Sequence, residues 1–218
     1  CDFRQLMLIH SQTANVYASI YALLDEEREL YNALRYATII QDRAGINVFN
    51  DLICANLYKN KKFNDCIRMT DSLWQAYIRY DDTYNANLIC VNAVKSYLTL
   101  GIYDSALVYL DNYARIFNTD ISIRKIRDGK DALYILKGRY YLGTNNPDSA
   151  LHCFRKVDLG GLAPATRAFL YGKISDSYNM MSQTDSAYKY LALHAELMDK
   201  CYDSSVAEAC INARQLYD

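Results

Sequence analysis

Two prolines and eight glycines in 218 residues leave this chain few places to break a helix. Proline removes a backbone donor and glycine loosens the chain, so their scarcity points to long helices joined by short turns. Cysteine is present seven times, at 1, 54, 66, 90, 153, 201 and 210, but never as CxxC. An odd, scattered set of that kind argues against a disulfide scaffold and against a zinc site. No apolar run approaches the roughly 18 residues that a membrane span needs. A formal net charge of −1 offers no electrostatic footprint for polyphosphate, so no nucleic-acid contact is expected of this chain.

The chemistry of catalysis is also missing. The three histidines, His10, His152 and His194, fall in no ligand spacing such as HExxH. No glycine-rich phosphate loop occurs: Gly160-Gly161 runs into Leu-Ala-Pro and reads as a loop between helices. The expectation is a non-enzyme with no catalytic residues, no metal site and no cofactor. His194, seven residues after Ala187, is expected to pack inside its helix pair.

What is abundant is apolar surface, at 51% of residues, and tyrosine, at 21. With 22% charged residues, that is enough to build a sizeable core. The apolar residues are not distributed at random. Asp104-Ser105-Ala106 returns as Asp148-Ser149-Ala150 and as Asp185-Ser186-Ala187, at spacings of 44 and 37. Nine residues before each alanine stand Tyr97, Tyr141 and Tyr178. A weaker copy, Lys62-Phe63-Asn64-Asp65-Cys66-Ile67, places Cys66 40 residues before Ala106. A period of this size signals a repeated helical hairpin rather than one globular core.

Each copy reads as an aromatic helix end, a short turn, and a second helix with an acidic first turn, where the helix dipole favours a carboxylate. Gly101 is placed to close a helix in the left-handed conformation. Asn146-Pro147 should open one, with Asn as cap and Pro in the first turn. Val94, Gly138 and Ser175 precede the tyrosines by three, with Cys54 in the weaker copy. Large apolar residues follow the alanines by four: Leu110, Phe154 and Leu191. Small residues on facing helices allow close approach, and free cysteine serves as one of them.

The small-x2-aromatic element, a turn, then Ala-x3-large resembles the tetratricopeptide repeat (TPR), most closely at Tyr134-x3-Gly138-x2-Tyr141 with Ala150-x3-Phe154. The periods exceed that family's usual ~34, and its repeat-ending proline is mostly missing. The resemblance implies an all-α fold, a right-handed α-α superhelix (TPR-like solenoid) of about five to six helix pairs. Residues 1–41 would be an N-terminal helix pair, a degenerate or capping repeat, and 42–200 the TPR-like repeats. Residues 201–218 would be a C-terminal helix, opened by the capping box Ser205-x-x-Glu208, that connects to a further segment.

In such solenoids the first helix of each pair lines the face used for binding. The candidate groove residues on that face are Tyr58, Lys95, Leu98, Thr99, Arg139, Leu142, Asp176 and Asn179. Cations, one carboxylate and aromatic edges suit a peptide or a carboxylate-bearing ligand, so the expected partner is a protein or peptide.

Lys137-Gly-Arg-Tyr-Tyr-Leu142 and the closing Ala213-Arg-Gln-Leu-Tyr-Asp218 are similar to the extracytoplasmic TPR regions of membrane-anchored regulators in gut-type Gram-negative anaerobes. In those proteins a helix-turn-helix or histidine-kinase output follows a membrane span. The resemblance implies a sensor (input) domain on the periplasmic or cell-envelope face, membrane-tethered in the full-length protein. The alternative is a stand-alone TPR scaffold lipoprotein for protein-protein interactions. Cys1 as first residue fits an acylated lipoprotein N-terminus; the plainer reading is a chain that begins where a longer one was cut.

Overall fold

A computed structural model describes the backbone of residues 2–118 and 123–215 and the side chains of residues 2–117 and 129–204. Among the described residues there are ten α-helices and no strand. They are α1 (Phe3–Ser19), α2 (Leu23–Ile39), α3 (Arg43–Lys59), α4 (Phe63–Arg79), α5 (Thr83–Leu100), α6 (Tyr103–Ala114), α7 (Ile123–Gly143), α8 (Pro147–Phe154), α9 (Pro164–Met180) and α10 (Thr184–Gln215). Short 3-10 segments follow α6 at Arg115–Asn118 and precede α9 at Leu159–Gly161. The chain divides into two compact units, one holding the residues up to Ser96 and the other Tyr97–Val206.

In the first unit, α1 packs on α2, α2 on α3 and α3 on α4. In the second, α6 packs on α7, α7 on α8, and α9 on both α7 and α8. α10 closes onto α9 through Ser175, which donates to the Ala187 carbonyl at 2.7 Å, and through Tyr190, stacked on Tyr178 at 5.6 Å.

The turns obey one rule. A single residue takes a left-handed backbone at Tyr21 (φ 56°), Gln41 (57°), Lys61 (59°), Asp81 (57°), Gly101 (73°), Asn145 (61°) and Ser182 (58°). The next residue's N–H then reaches back five positions: Ala22 to the Tyr17 carbonyl at 3.0 Å, Lys62 to Leu57 at 2.9 Å, Asn146 to Tyr141 at 2.8 Å. This Schellman closure satisfies carbonyls that the helix end would leave without partners. From Tyr21 to Gly101 the left-handed residues recur every 20 positions. α1 and α2 therefore keep the backbone register of the helices after them. The longer sequence spacing of 44 arises in α7, which runs 21 residues against 17 for α2, α3 and α4. The shorter one of 37 arises because α8 is only eight residues long.

Small residues lie where the helices meet. Cys66, Ala106, Ala150 and Ala187 all sit one turn inside their helices, each N–H bonded to the residue just before that helix, and all four are buried. The first hairpin places Glu26 at this register instead, with its carboxylate 3.3 Å from Lys59 Nζ on α3. On the facing helices Cys54, Ser175 and Gly138 are buried in turn. A Cβ on Gly138 would fall well inside the van der Waals envelope of the Phe154 ring, so that ring lies directly on the α7 backbone. The repeated triplet thus ends on a small, buried residue in the first turn of each second helix.

Two local expectations need correction. Asn146 occupies the N-cap of α8 but makes no side-chain cap; its amide donates to the Thr144 carbonyl at 2.8 Å instead. Ser205-x-x-Glu208 opens no helix, because α10 runs unbroken from Thr184 to Gln215. No Gly or Pro interrupts that stretch, and the neighbouring Ser204 hydroxyl bonds back to the Lys200 carbonyl at 2.9 Å, as a serine inside a helix does.

Candidate ligand cleft

The C-terminal ends of α5 and α7 and the length of α9 frame a cleft of about 580 Å³ in the second unit. Six of the eight groove residues line it: Leu98 and Thr99 from α5, Arg139 and Leu142 from α7, Asp176 and Asn179 from α9. Tyr58 and Lys95 belong to the first unit and do not line it. Tyr58 is half-buried, its ring 5.5 Å from that of Phe63. Cys1 lies outside the described residues.

The cleft also holds residues that counting from the repeated tyrosines did not reach: Tyr103, Phe169, Lys173 and Met180. Phe169, Lys173, Asp176 and Met180 follow one another at intervals of four, three and four along α9, which puts them on one helix face. That periodicity was available in the sequence.

Phe169 organises the charge. Arg139 sits with its guanidinium 5.7 Å from the Phe169 ring centroid and donates to Thr99 Oγ1 at 3.3 Å. Lys173 Nζ lies 5.8 Å from the same ring and 2.7 Å from Asp176 Oδ2. The Arg139 fork is thus positioned by α5 and α9 together while keeping donors to spare, since a guanidinium carries five. The Lys173–Asp176 pair is exposed, and such pairs are worth at most about 1 kcal/mol. A ligand carboxylate can therefore compete with Asp176 for Lys173. The arrangement can hold an anionic, partly apolar segment; it presents no nucleophile with a base beside it.

Two of the three histidines are held by the fold. His194 Nδ1 is 2.8 Å from the Ala168 carbonyl, between α10 and α9. His10 Nδ1 donates to Glu29 Oε2 at 2.5 Å and its ring stacks on Tyr36 at 5.5 Å. Cys54, Cys66, Cys90 and Cys153 are free and buried, and burial pushes the Cys54 and Cys90 thiols up to about 12. Among the described residues no His, Cys, Asp and Glu group could hold a metal ion, and no helix is long and apolar enough to cross a membrane.

Solved structures of similar architecture decide the fold. BtubC (BKLC) from P. vanneervenii superposes with a TM-score of 0.57 at 9% identity, over 93% of this chain and 93% of that one. A putative kinesin light chain from Podosopora anserina with nearly identical TPR-like repeats gives 0.56 at 10% identity, over 91% and 95%. A second structure of that protein gives 0.57 at 10%, over 92% and 96%. The fold is TPR-like. No family model matches the sequence, and no curated protein matches it either.

Proposed function

We propose that the chain is a non-catalytic repeat domain that binds a protein or peptide segment carrying a carboxylate next to an apolar side chain. The observation that carries this reading is the Phe169 ring flanked by Arg139 and Lys173 in an open cleft. The apolar side chain would lie on Phe169, Leu98 and Leu142, and the carboxylate would meet the two cations. The TPR-like fold supports it, since stacked helix pairs present extended binding surfaces.

In the same proposal the domain is the extracytoplasmic input part of a membrane-anchored regulator or sensor kinase, on the cell-envelope face. The support for that role is the likeness of Lys137–Leu142 and Ala213–Asp218 to such proteins. A ligand would act by favouring one arrangement of the helix pairs over another.

Panning the domain against a random peptide library and measuring the hits by calorimetry tests the cleft. Arg139→Ala should weaken acidic hits by about tenfold or more, the loss of one charge-assisted contact. Equal affinity in Arg139→Ala and Lys173→Ala for every hit would place binding elsewhere. Protease accessibility of the full-length protein in spheroplasts tests the location; protection of this domain would refute it.

A further inference from the structure

A second cleft, of about 430 Å³, opens between α7 and α8. Tyr134, Lys137 and Tyr141 line it from α7, Ser149 and His152 from α8, and Lys156 from the turn after α8. Its volume is within the range of small-molecule sites. Lys137 and Arg139 flank Gly138, but they line different clefts: Lys137 this one, Arg139 the cleft described above.

Lys156 Nζ stands 5.5 Å from the Tyr134 ring centroid. Both ammonium groups act on the Cys153 thiol: burial pushes that thiol up, and Lys137 and Lys156 oppose the rise. The two cations line the same cleft from α7 and from the turn after α8. Among the described residues neither lysine has an ion-pair partner; Asp148 also lines the cleft and is bonded to neither. Two unpaired ammoniums against the one lining carboxylate leave the cleft cationic, which favours an anion.

The donor type narrows the class further. A carboxylate is planar and matches the fork of an arginine, whereas lysine ammoniums act as point charges that suit a tetrahedral phosphoryl group. The Ser149 hydroxyl adds a neutral donor, and Tyr134 and Tyr141 line the same cleft with apolar ring surface. We propose that this cleft binds a small aryl phosphomonoester, its phosphoryl group between Lys137 and Lys156 and its ring against the tyrosines. The assignment is independent of the peptide cleft.

Calorimetry with phenyl phosphate at fixed ionic strength tests it. The expected result is saturable one-to-one binding, several-fold tighter than inorganic phosphate. Lys137→Ala combined with Lys156→Ala should lower the affinity at least tenfold, and Arg139→Ala should leave it unchanged. Should the double variant fail to fold by circular dichroism, Lys137→Gln and Lys156→Gln singly should each lower it about threefold or more. Absence of saturation, unaltered binding in the folded lysine variants, or an equal loss in Arg139→Ala would overturn the proposal. A phosphotyrosine peptide binding more than tenfold tighter than phenyl phosphate would overturn the small-molecule assignment.

Discussion

Replacing Lys61 and Asp81 with glycine should stabilise the protein, although both changes remove side chains and add chain flexibility. Each residue holds a left-handed backbone, φ 59° and 57°, and each is exposed at its turn. For an L-residue that conformation costs about 1–2 kcal/mol, because Cβ crowds the following carbonyl. Glycine removes this cost but gains freedom in the unfolded chain, which returns about 0.4–1 kcal/mol. The net expectation is about 0.5–1 kcal/mol per site, and the two sites are far enough apart to add. For a chain of this length each kcal/mol moves Tm by about 2–4 °C, so the double variant should melt about 2–8 °C higher. Gly101→Ala supplies the opposite sign. Its φ is 73°, and an added Cβ would meet nothing closer than the Tyr103 hydroxyl at 4.0 Å. The net loss, about 0.5–1 kcal/mol by the same accounting, would therefore be purely conformational. Thermal melts followed by circular dichroism, with urea titrations as a second measure, decide the matter. A double variant no more stable than the parent, or a Gly101→Ala form that loses nothing, would refute the account of the turns.

Other expectations concern packing, acid and thiol chemistry. Gly138→Ala should cost about 1–3 kcal/mol by urea unfolding, because Phe154 occupies the space of the new methyl group. The Glu29 carboxyl is held below its usual range chiefly by the hydrogen bond from His10. Its contribution is therefore present above the unfolded-state value near 4.5 and is lost as pH falls through the lower folded value; Glu29→Gln should flatten the acid limb of a stability–pH profile. Brief alkylation at pH 8, mapped by mass spectrometry, should modify Cys201 well before Cys54 and Cys90, whose buried thiols titrate near 12.

The helix pairs were legible because the feature that repeats in the sequence is the one that governs packing. Cys66, Ala106, Ala150 and Ala187 recur where two helices touch, so steric need writes them into the chain. The even 20-residue step of the turns was not legible, and the reason is physical. A Schellman closure is made by backbone N–H and carbonyl groups, and six of the seven left-handed residues among those described are not glycine. Nothing in Tyr21, Gln41 or Ser182 announces the conformation.

The candidate cleft shows the same division. Arg139 and Asp176 were placed because they precede the repeated tyrosines by two, a position fixed by helix geometry alone. Phe169 and Lys173 lie up to two turns further back on α9, beyond the reach of that register. Tyr103 enters from the start of a second helix, α6, which a first-helix rule does not consult. Lys95 stands at the same register as Arg139 and still does not line the cleft.

An identical joint every 20 residues has a further result for how such a chain changes length. Excising the stretch from Ala22 to Lys61 would bring Tyr21 directly before Lys62, leaving a left-handed residue still followed by the residue that opens an even-numbered helix. The splice would carry no seam, so whole hairpins can be dropped or copied at the gene level without inventing a new linker.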